Sequence, residues 1–304
     1  MEAVSVRHAV LLTLGVVAVS FSAIFIREAA APSLAIAFYR MLFASAMVLP
    51  VAVLGSRHRR EVRSLSRRQV GIAALSGAFL AGHFATWISS LPLTTVAASV
   101  VLVTSSPFFV AMGSRFLFGE RAGRAVLIGI LVGLVGAAVV SGGDLGPSRR
   151  AALGDLLALA GAVFAAGYFL AGRRLRQEIS LVAYVSVVYP TCAALLLPVA
   201  LIGRARLTGF DPKTWGLFVL MAMVAQGLGH TVFNYLLADV EATVVAVSVM
   251  GEPVGSALLA LAFFGEVPPW TAVGGGALIL AGIYVAVTAQ ARERRRPPVA
   301  LPLE

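Results

Sequence analysis

Apolar runs long enough to cross a bilayer recur along the whole chain, separated by short polar links. They predict ten membrane spans, at 8–26, 33–54, 70–91, 94–114, 123–140, 151–171, 180–203, 213–236, 241–263 and 270–288. At about 1.5 Å rise per residue, each run matches a hydrocarbon core of about 30 Å. The links Leu91-Pro92-Leu93-Thr94 and Ala238-Asp239-Val240-Glu241 are the tightest. The first run lacks the dense basic lead and small-residue cleavage site of a secretory signal, and further spans follow it, so it is expected to stay in the membrane. Residues 291–304 are basic and then proline-rich without apolar periodicity, the pattern of a disordered tail.

Composition changes the picture only by what it excludes. Of the 304 residues 59% are hydrophobic and 12% charged, against about a quarter charged in a soluble domain. Mean hydropathy is +0.93. A soluble enzyme is therefore excluded, and Cys192, the single cysteine, rules out a disulfide scaffold. The formal charge of +10 would suggest nucleic acid in a soluble protein, but here the basic residues sit in the links. With the N-terminus inside, inner segments carry 17 Lys and Arg and outer segments 6, with Arg40 left within a span. That bias places both termini in the cytoplasm and makes Arg57-His58-Arg59-Arg60 a topological anchor. The expected location is a bacterial-type cytoplasmic (inner) membrane; the lipid bilayer is a partner and nucleic acid is not.

An offset of 146 residues exposes a repeat. Pro107 falls on Pro253, Phe118-Gly119-Glu120 on Phe264-Gly265-Glu266, Gly129 on Gly275 and Gly136 on Gly282. The halves are then 1–146 and 147–290, followed by the tail. Five spans in each half, an odd number, make the halves inverted, with a pseudo-two-fold axis in the membrane plane. Such halves can exchange conformations and open a central site to either side, which suits a carrier better than a channel.

These features carry a family resemblance. The short-linked spans, Ala37-Phe38-Tyr39-Arg40, Ser106-Pro107 with Gly119-Glu120, and Glu252-Pro253 with Gly265-Glu266 resemble an EamA-type member of the drug/metabolite transporter superfamily. The resemblance runs over about 8–290 and implies an all-α membrane protein of ten helices in two inverted five-helix repeats. It also implies a central cavity lined mainly by spans 1, 3, 4, 6, 8 and 9, with spans 5 and 10 peripheral, and export of amino acids or other metabolites.

Polar groups within the spans are the candidate site, because burial in lipid costs several kcal/mol unless compensated. Glu252 precedes Pro253 near the middle of span 9, where proline frees backbone carbonyls and suits a broken helix. It can bind and release a proton or an ammonium, which leaves proton coupling open; a neutral Glu252 bonded to a neighbouring span is the alternative. Its repeat counterpart is Ser106, so the acid is not duplicated. Arg40 can attract a carboxylate through its guanidinium fork, or pair with Glu28 or Asp155, or snorkel outward. Since the resemblance does not place span 2 at the cavity, pairing or gating is the expected role of Arg40. Asp155 begins span 6 and is expected to cap it or to sit at a cavity entrance.

Two polar stripes are expected to line the cavity. His83, Trp87 and Ser90 fall at i, i+4 and i+7 on span 3; Gln226, His230 and Asn234 fall at i, i+4 and i+8 on span 8. Trp87 adds a cation–π face, and Tyr168, with Phe164 one turn before it, adds aromatic contact. The bland alternative is helix bridging by membrane hydrogen bonds, each contributing about 1 kcal/mol. Glu120 and Glu266 each follow a Phe-Gly pair at the end of a span, where a helix-end hydrogen bond would fix a tight connection, and with Pro107 and Pro253 they read as architectural. So do Gly129, Gly136, Gly275 and Gly282, which permit close helix packing in spans 5 and 10. No metal-ligand spacing, phosphate-binding loop or nucleophile elbow occurs, so neither metal, cofactor nor enzymatic activity is expected.

The reading is an alternating-access exporter of a small-molecule substrate, first of uncharged or aromatic amino acids, for which a monomer is sufficient. The alternatives are a proton-coupled exporter of lipophilic or cationic drugs and, from another class, a channel or non-transporting interaction protein.

Overall fold

Residues 6–94, 99, 102–119, 122–140 and 148–295 are described by the computed structural model, and every regular element among them is helical. Eight helical stretches are long and apolar enough to cross a membrane. These are α1 (Val6–Glu28), α2 (Ser33–Leu54), α4 (Arg67–Ser90), α7 (Arg149–Arg176), α8 (Leu181–Ile202), α9 (Pro212–Leu236), the broken pair α10 and α11 (Ala242–Val249 and Glu252–Phe264), and α12. α12 is Trp270–Arg295, so helix continues past 291, where a tail was expected. The fifth run forms α6 (Arg124–Val140), an apolar helix of 17 residues. Of the fourth run, the second half is α5 (Ser106–Phe118), while 95–98 and 100–101 lie outside the described residues. The expected count of ten is thus not reached among the described residues. Glu120 and residues 296–304 also lie outside them.

One link holds an element that the apolar pattern does not show. α3 (Ser56–Ser64) carries four of the clustered arginines and buries none of its residues. It is followed by a capping box in which Ser66 accepts from the Gln69 N–H and the Gln69 side chain accepts from the Ser66 N–H. The Glu61 carboxylate accepts from the Ser180 N–H at 2.8 Å, tying α3 to the start of α8.

Packing separates a cavity-bearing bundle from a peripheral pair. α4 lies along α7 and α2 along α8, while α1 contacts both α9 and α11. α6 and α12 pack mainly on each other, over a core of Val126, Ile130, Ile279 and Ala286. Their glycines meet backbone to backbone. A methyl on Gly129 would lie 2.6 Å from the Gly282 carbonyl oxygen, and one on Gly136 2.6 Å from that of Gly275. The contacts run antiparallel, and the 146-residue offset exchanges the two pairs, as a two-fold axis between the helices requires.

The repeat recurs in the half-helices. α5 and α11 each hold 13 residues, begin one residue before a proline and end at a left-handed glycine. Gly119 has φ +69° and Gly265 φ +66°, a region costly for any residue with a Cβ. The outer surface is apolar, with Leu14 at 56%, Leu131 at 61% and Leu258 at 60% exposure. In water this would drive aggregation; against lipid it is the expected covering.

Candidate functional site: a central cavity at two helix breaks

The polypeptide is interrupted where proline removes a backbone donor. α10 ends at Val249, Met250 and Gly251 turn, and α11 restarts at Glu252-Pro253. In the first half, Thr104 and Ser105 turn and α5 starts at Ser106-Pro107. Both breaks face one central cavity, largely apolar in its lining. Its wall comes from Val19 and Ser22 of α1, Arg40 of α2, and His83 and Trp87 of α4. Val103, Thr104 and Ser106 border one break, and Ala246, Val249, Met250 and Glu252 the other. Ala165, Tyr168 and Phe169 of α7 and His230 of α9 complete it.

Arg40 reaches this wall because its neighbour is fastened outside it. The Tyr39 hydroxyl donates to the Leu207 carbonyl at 2.6 Å, and its ring stacks on Phe218 at 5.0 Å. One residue further along a helix turns the side chain by about 100°, which carries Arg40 inward, where it is 1% exposed. Its Nε donates to Gln226 Oε1 and its Nη1 to Ser22 Oγ, both at 3.2 Å. The guanidinium lies 4.4 Å from the Phe84 ring centroid. The carboxylates suggested as its partners are engaged elsewhere. Glu28 accepts from Lys213 at 2.5 Å and Asp155 from Thr94 at 2.7 Å. Asp155 does not cap α7 either; the Ser148 hydroxyl does, by accepting from the Ala151 N–H.

The stripe on α4 divides. His83 and Trp87 both line the cavity, their rings 5.7 Å apart and 17° from parallel. His83 Nδ1 lies 2.9 Å from the Gly161 carbonyl oxygen. Since a carbonyl only accepts, Nδ1 carries the proton, and Nε2 of the neutral ring is an acceptor. Ser90 is buried behind the wall, donating to the Trp87 carbonyl and bonded to the Ser99 hydroxyl, each at 2.6 Å. On α7, Tyr168 reaches the cavity, whereas Phe164 covers Gly82 and meets Phe79.

The stripe on α9 divides for another reason. Residues Met221–His230 are wound as a π-helix, and the Thr231 N–H bonds back to the Gln226 carbonyl. Only His230 of the three reaches the cavity wall, among the rings of Phe84, Tyr168 and Phe233. Gln226 and Asn234 are fully buried behind it. Gln226 holds Arg40, while Asn234 Oδ1 accepts from the Tyr168 hydroxyl at 2.8 Å and its amide donates to the Tyr189 hydroxyl at 3.3 Å.

Among the described residues, three buried nitrogens at the cavity lack a hydrogen-bond partner: Arg40 Nη2, Trp87 Nε1 and His230 Nδ1. Buried polar atoms are ordinarily satisfied, and an orphan left at a cavity wall is available to a ligand or water. Glu252 places a carboxyl group on the same wall, with no ion pair to Arg40 within 4 Å. Sequence reasoning missed Ser22, Ser106 and Phe169 as lining residues. The offset had placed Ser106 opposite Glu252, and that equivalence was the signal for it. No group of three or more metal-ligand side chains occurs among the described residues.

Among the described residues the architectural ones fall outside the cavity lining, Pro107 and Pro253 each following a lining residue, Ser106 and Glu252. The Glu266 carboxylate bonds both Arg27 amino groups, at 2.6 and 2.9 Å, while its backbone N–H reaches back to the Ala260 carbonyl. Hydrogen bonding to Arg27 holds its carboxyl below the usual carboxylate range.

Known proteins resemble this chain over most of its length. An uncharacterised transporter of Archaeoglobus fulgidus is 27% identical over 258 residues, which are 84% of this chain and 88% of that protein. The pseudopaline exporter CntI of Pseudomonas aeruginosa is 27% identical, over 84% of this chain and 87% of its own. A probable amino-acid metabolite efflux pump of Salmonella typhimurium is 30% identical over 62% of this chain and 66% of its own. A solved crystal structure matches the fold with a TM-score of 0.78 at 22% identity, covering 94% of this chain and 98% of that one. Residues 7–142 and 152–288 each match the EamA-like transporter family, and the chain belongs to that family.

Proposed function

We propose that the protein is an alternating-access exporter of amino acids, principally uncharged or aromatic ones, or of closely related metabolites. The observation that carries this reading is a cavity of aromatic and aliphatic walls holding one arginine and one glutamate. Pockets of this kind bind apolar bodies and orient them through a few polar groups. Relatives named as a pseudopaline exporter and a probable amino-acid metabolite efflux pump support the direction of transport, and the second of them the substrate class. The breaks at Ser106 and Glu252 supply hinges, and the antiparallel packing of α6 on α12 supplies the symmetry by which the halves can exchange conformations. In this reading the halves are residues 1–146 and 147–290, inverted in a cytoplasmic membrane with both termini inside, and a monomer suffices. Its substrate-contacting set is His83, Trp87, Tyr168, His230 and Glu252, joined by Arg40.

Counterflow in proteoliposomes tests it, with labelled Phe, Trp, Met, Leu, Thr and Lys. Saturable exchange of the aromatic and uncharged members is expected. No exchange of any, with folded and inserted protein, overturns the substrate assignment. Glu252 favours a second reading, a proton-coupled exporter of lipophilic or cationic drugs, because an acid at the cavity wall can carry the coupling proton. The variant Glu252→Gln separates the two in the same vesicles. Counterflow that survives while uphill transport is lost assigns Glu252 to coupling, and loss of both assigns it to substrate binding.

A further inference from the structure

We infer that Arg40 is the anchor for a substrate carboxylate and Glu252 the counterpart of its ammonium group, so that the site selects solutes carrying a free carboxylate. The ammonium half rests on the amino-acid reading above; the carboxylate half rests on Arg40 alone.

The guanidinium is almost wholly buried, yet both of its partners are neutral. A guanidinium presents five N–H donors in a rigid fork, and a buried cation is stable only when charge or several acceptors compensate it. Here Gln226 and Ser22 take one donor nitrogen each and fix the plane, while Nη2 is left without a partner. Because Arg40 is itself part of the cavity wall, that open edge is where a carboxylate oxygen can complete the fork. Phe84 lies against the guanidinium face, leaving recognition to its edge. Arg40 is thus held in place by its neighbours and incompletely satisfied at the cavity it lines.

Charge balance then narrows the ligand. Arg40 and Glu252 line one cavity without closing into an ion pair. A zwitterion meets both poles and adds no net charge. A simple amine would meet Glu252 but sit beside an uncompensated Arg40, and a simple carboxylate would do the reverse. The helix breaks reinforce the asymmetry, since α11 begins with its own acid whereas the equivalent start of α5 begins with Ser106. The stacked rings of Trp87 and His83 offer an apolar surface for the remainder of the solute.

Ligand series built on single skeletons test this with the purified full-length protein. Phenylalanine, phenylalaninamide, 3-phenylpropionate and 2-phenylethylamine form one, and the leucine analogues form a smaller one; binding is read by thermal stabilisation and by competition. In wild-type protein the amide and the amine should bind about 30-fold or more weakly than the amino acid, the range seen when one partner of a buried charge pair is removed. The propionate, which keeps the bond to Arg40 but brings no ammonium to Glu252, should bind more weakly than phenylalanine and still depend on Arg40. Arg40→Gln should erase the preference for acid over amide, and Arg40→Lys, which keeps the charge without the fork, should fall between. Glu252→Gln should weaken phenylalanine and leave the propionate unchanged. Equal binding of acid and amide by wild-type protein overturns the anchor without needing any variant, as does absence of binding by every carboxylate in both series. Propionate binding that depends on Arg40, with no amino acid bound or exchanged, leaves the anchor standing and removes the amino-acid reading.

Discussion

At the scale of single residues, the cavity separates groups that hold the wall from groups that face what it contains. Tyr168 and Trp87 both line it, yet only Tyr168 has its polar atom engaged, through Asn234 to Tyr189. Replacing Tyr168 by Phe strands Asn234 Oδ1 in a buried place, a loss of about 1–3 kcal/mol. Tyr168→Phe should therefore lower Tm while leaving the order of competing ligands unchanged. Trp87→Phe removes a donor that satisfies nothing and should shift ligand affinity with little change in Tm. Tm and competition measured on both variants check this, and a reordered ligand series in Tyr168→Phe would place its hydroxyl on the substrate. The sequence singled out His83, Trp87, Tyr168, His230 and Glu252 as polar or aromatic groups inside apolar runs, and all five reach one cavity. The inward position of Arg40 was not readable, because it depends on Tyr39 being fastened by Leu207 and Phe218, residues far away in the chain.

At the scale of elements, the repeat carried most of the legible information. Equivalent prolines and glycines gave the starts and ends of α5 and α11, because a missing N–H and a left-handed φ act locally. The winding of α9 was not legible. A stripe at i, i+4 and i+8 assumes 3.6 residues per turn, and the π-wound stretch Met221–His230 departs from that period, so Gln226 and Asn234 turn away from His230. Gly129, Gly136, Gly275 and Gly282 were legible as packing residues, and the structure pairs Gly129 with Gly282 and Gly136 with Gly275. Gly129→Leu must push α6 off the α12 backbone and should cost about 1–3 kcal/mol as overpacking. Gly274 has open space around its absent Cβ, so Gly274→Ala should be neutral or slightly stabilising through helix propensity. Thermal unfolding in detergent compares the two. Equal tolerance at both sites would mean that α6 and α12 separate without loss of the fold.

At the scale of the whole molecule, α9 relates the two ends of the bundle. Lys213, near its start, pairs with Glu28 at the end of α1, and beside it Arg27 forms the two-pronged bond to Glu266. At its other end, Arg173 donates to the carbonyls of Leu237 and Ala238, and Arg176 to that of Asn234. Twenty-five residues of helix separate these ties. The repeat offset places Arg27 on Arg173 and Glu266 on Glu120, so equivalent arginines fasten opposite ends. An alternating cycle requires each tie to yield when its own end opens. Arg27→Gln should therefore bias the protein toward opening at the start of α9, the face that the charge bias puts outside. Acid should act in the same direction. The carboxyl of Glu266 is held below its unfolded value by Arg27, so the tie is fully present above about pH 4.3 and is lost as pH falls through the depressed folded value. A single reporter reads this, Ser106→Cys at the cavity wall in a Cys192→Ser background, labelled by a membrane-impermeant thiol reagent from either side of sealed vesicles. Labelling at neutral pH should rise from the outer face in Arg27→Gln and fall or stay level from the inner face. Unchanged labelling from both faces would leave the Arg27–Glu266 bond as a solvent-screened surface pair without a gating role.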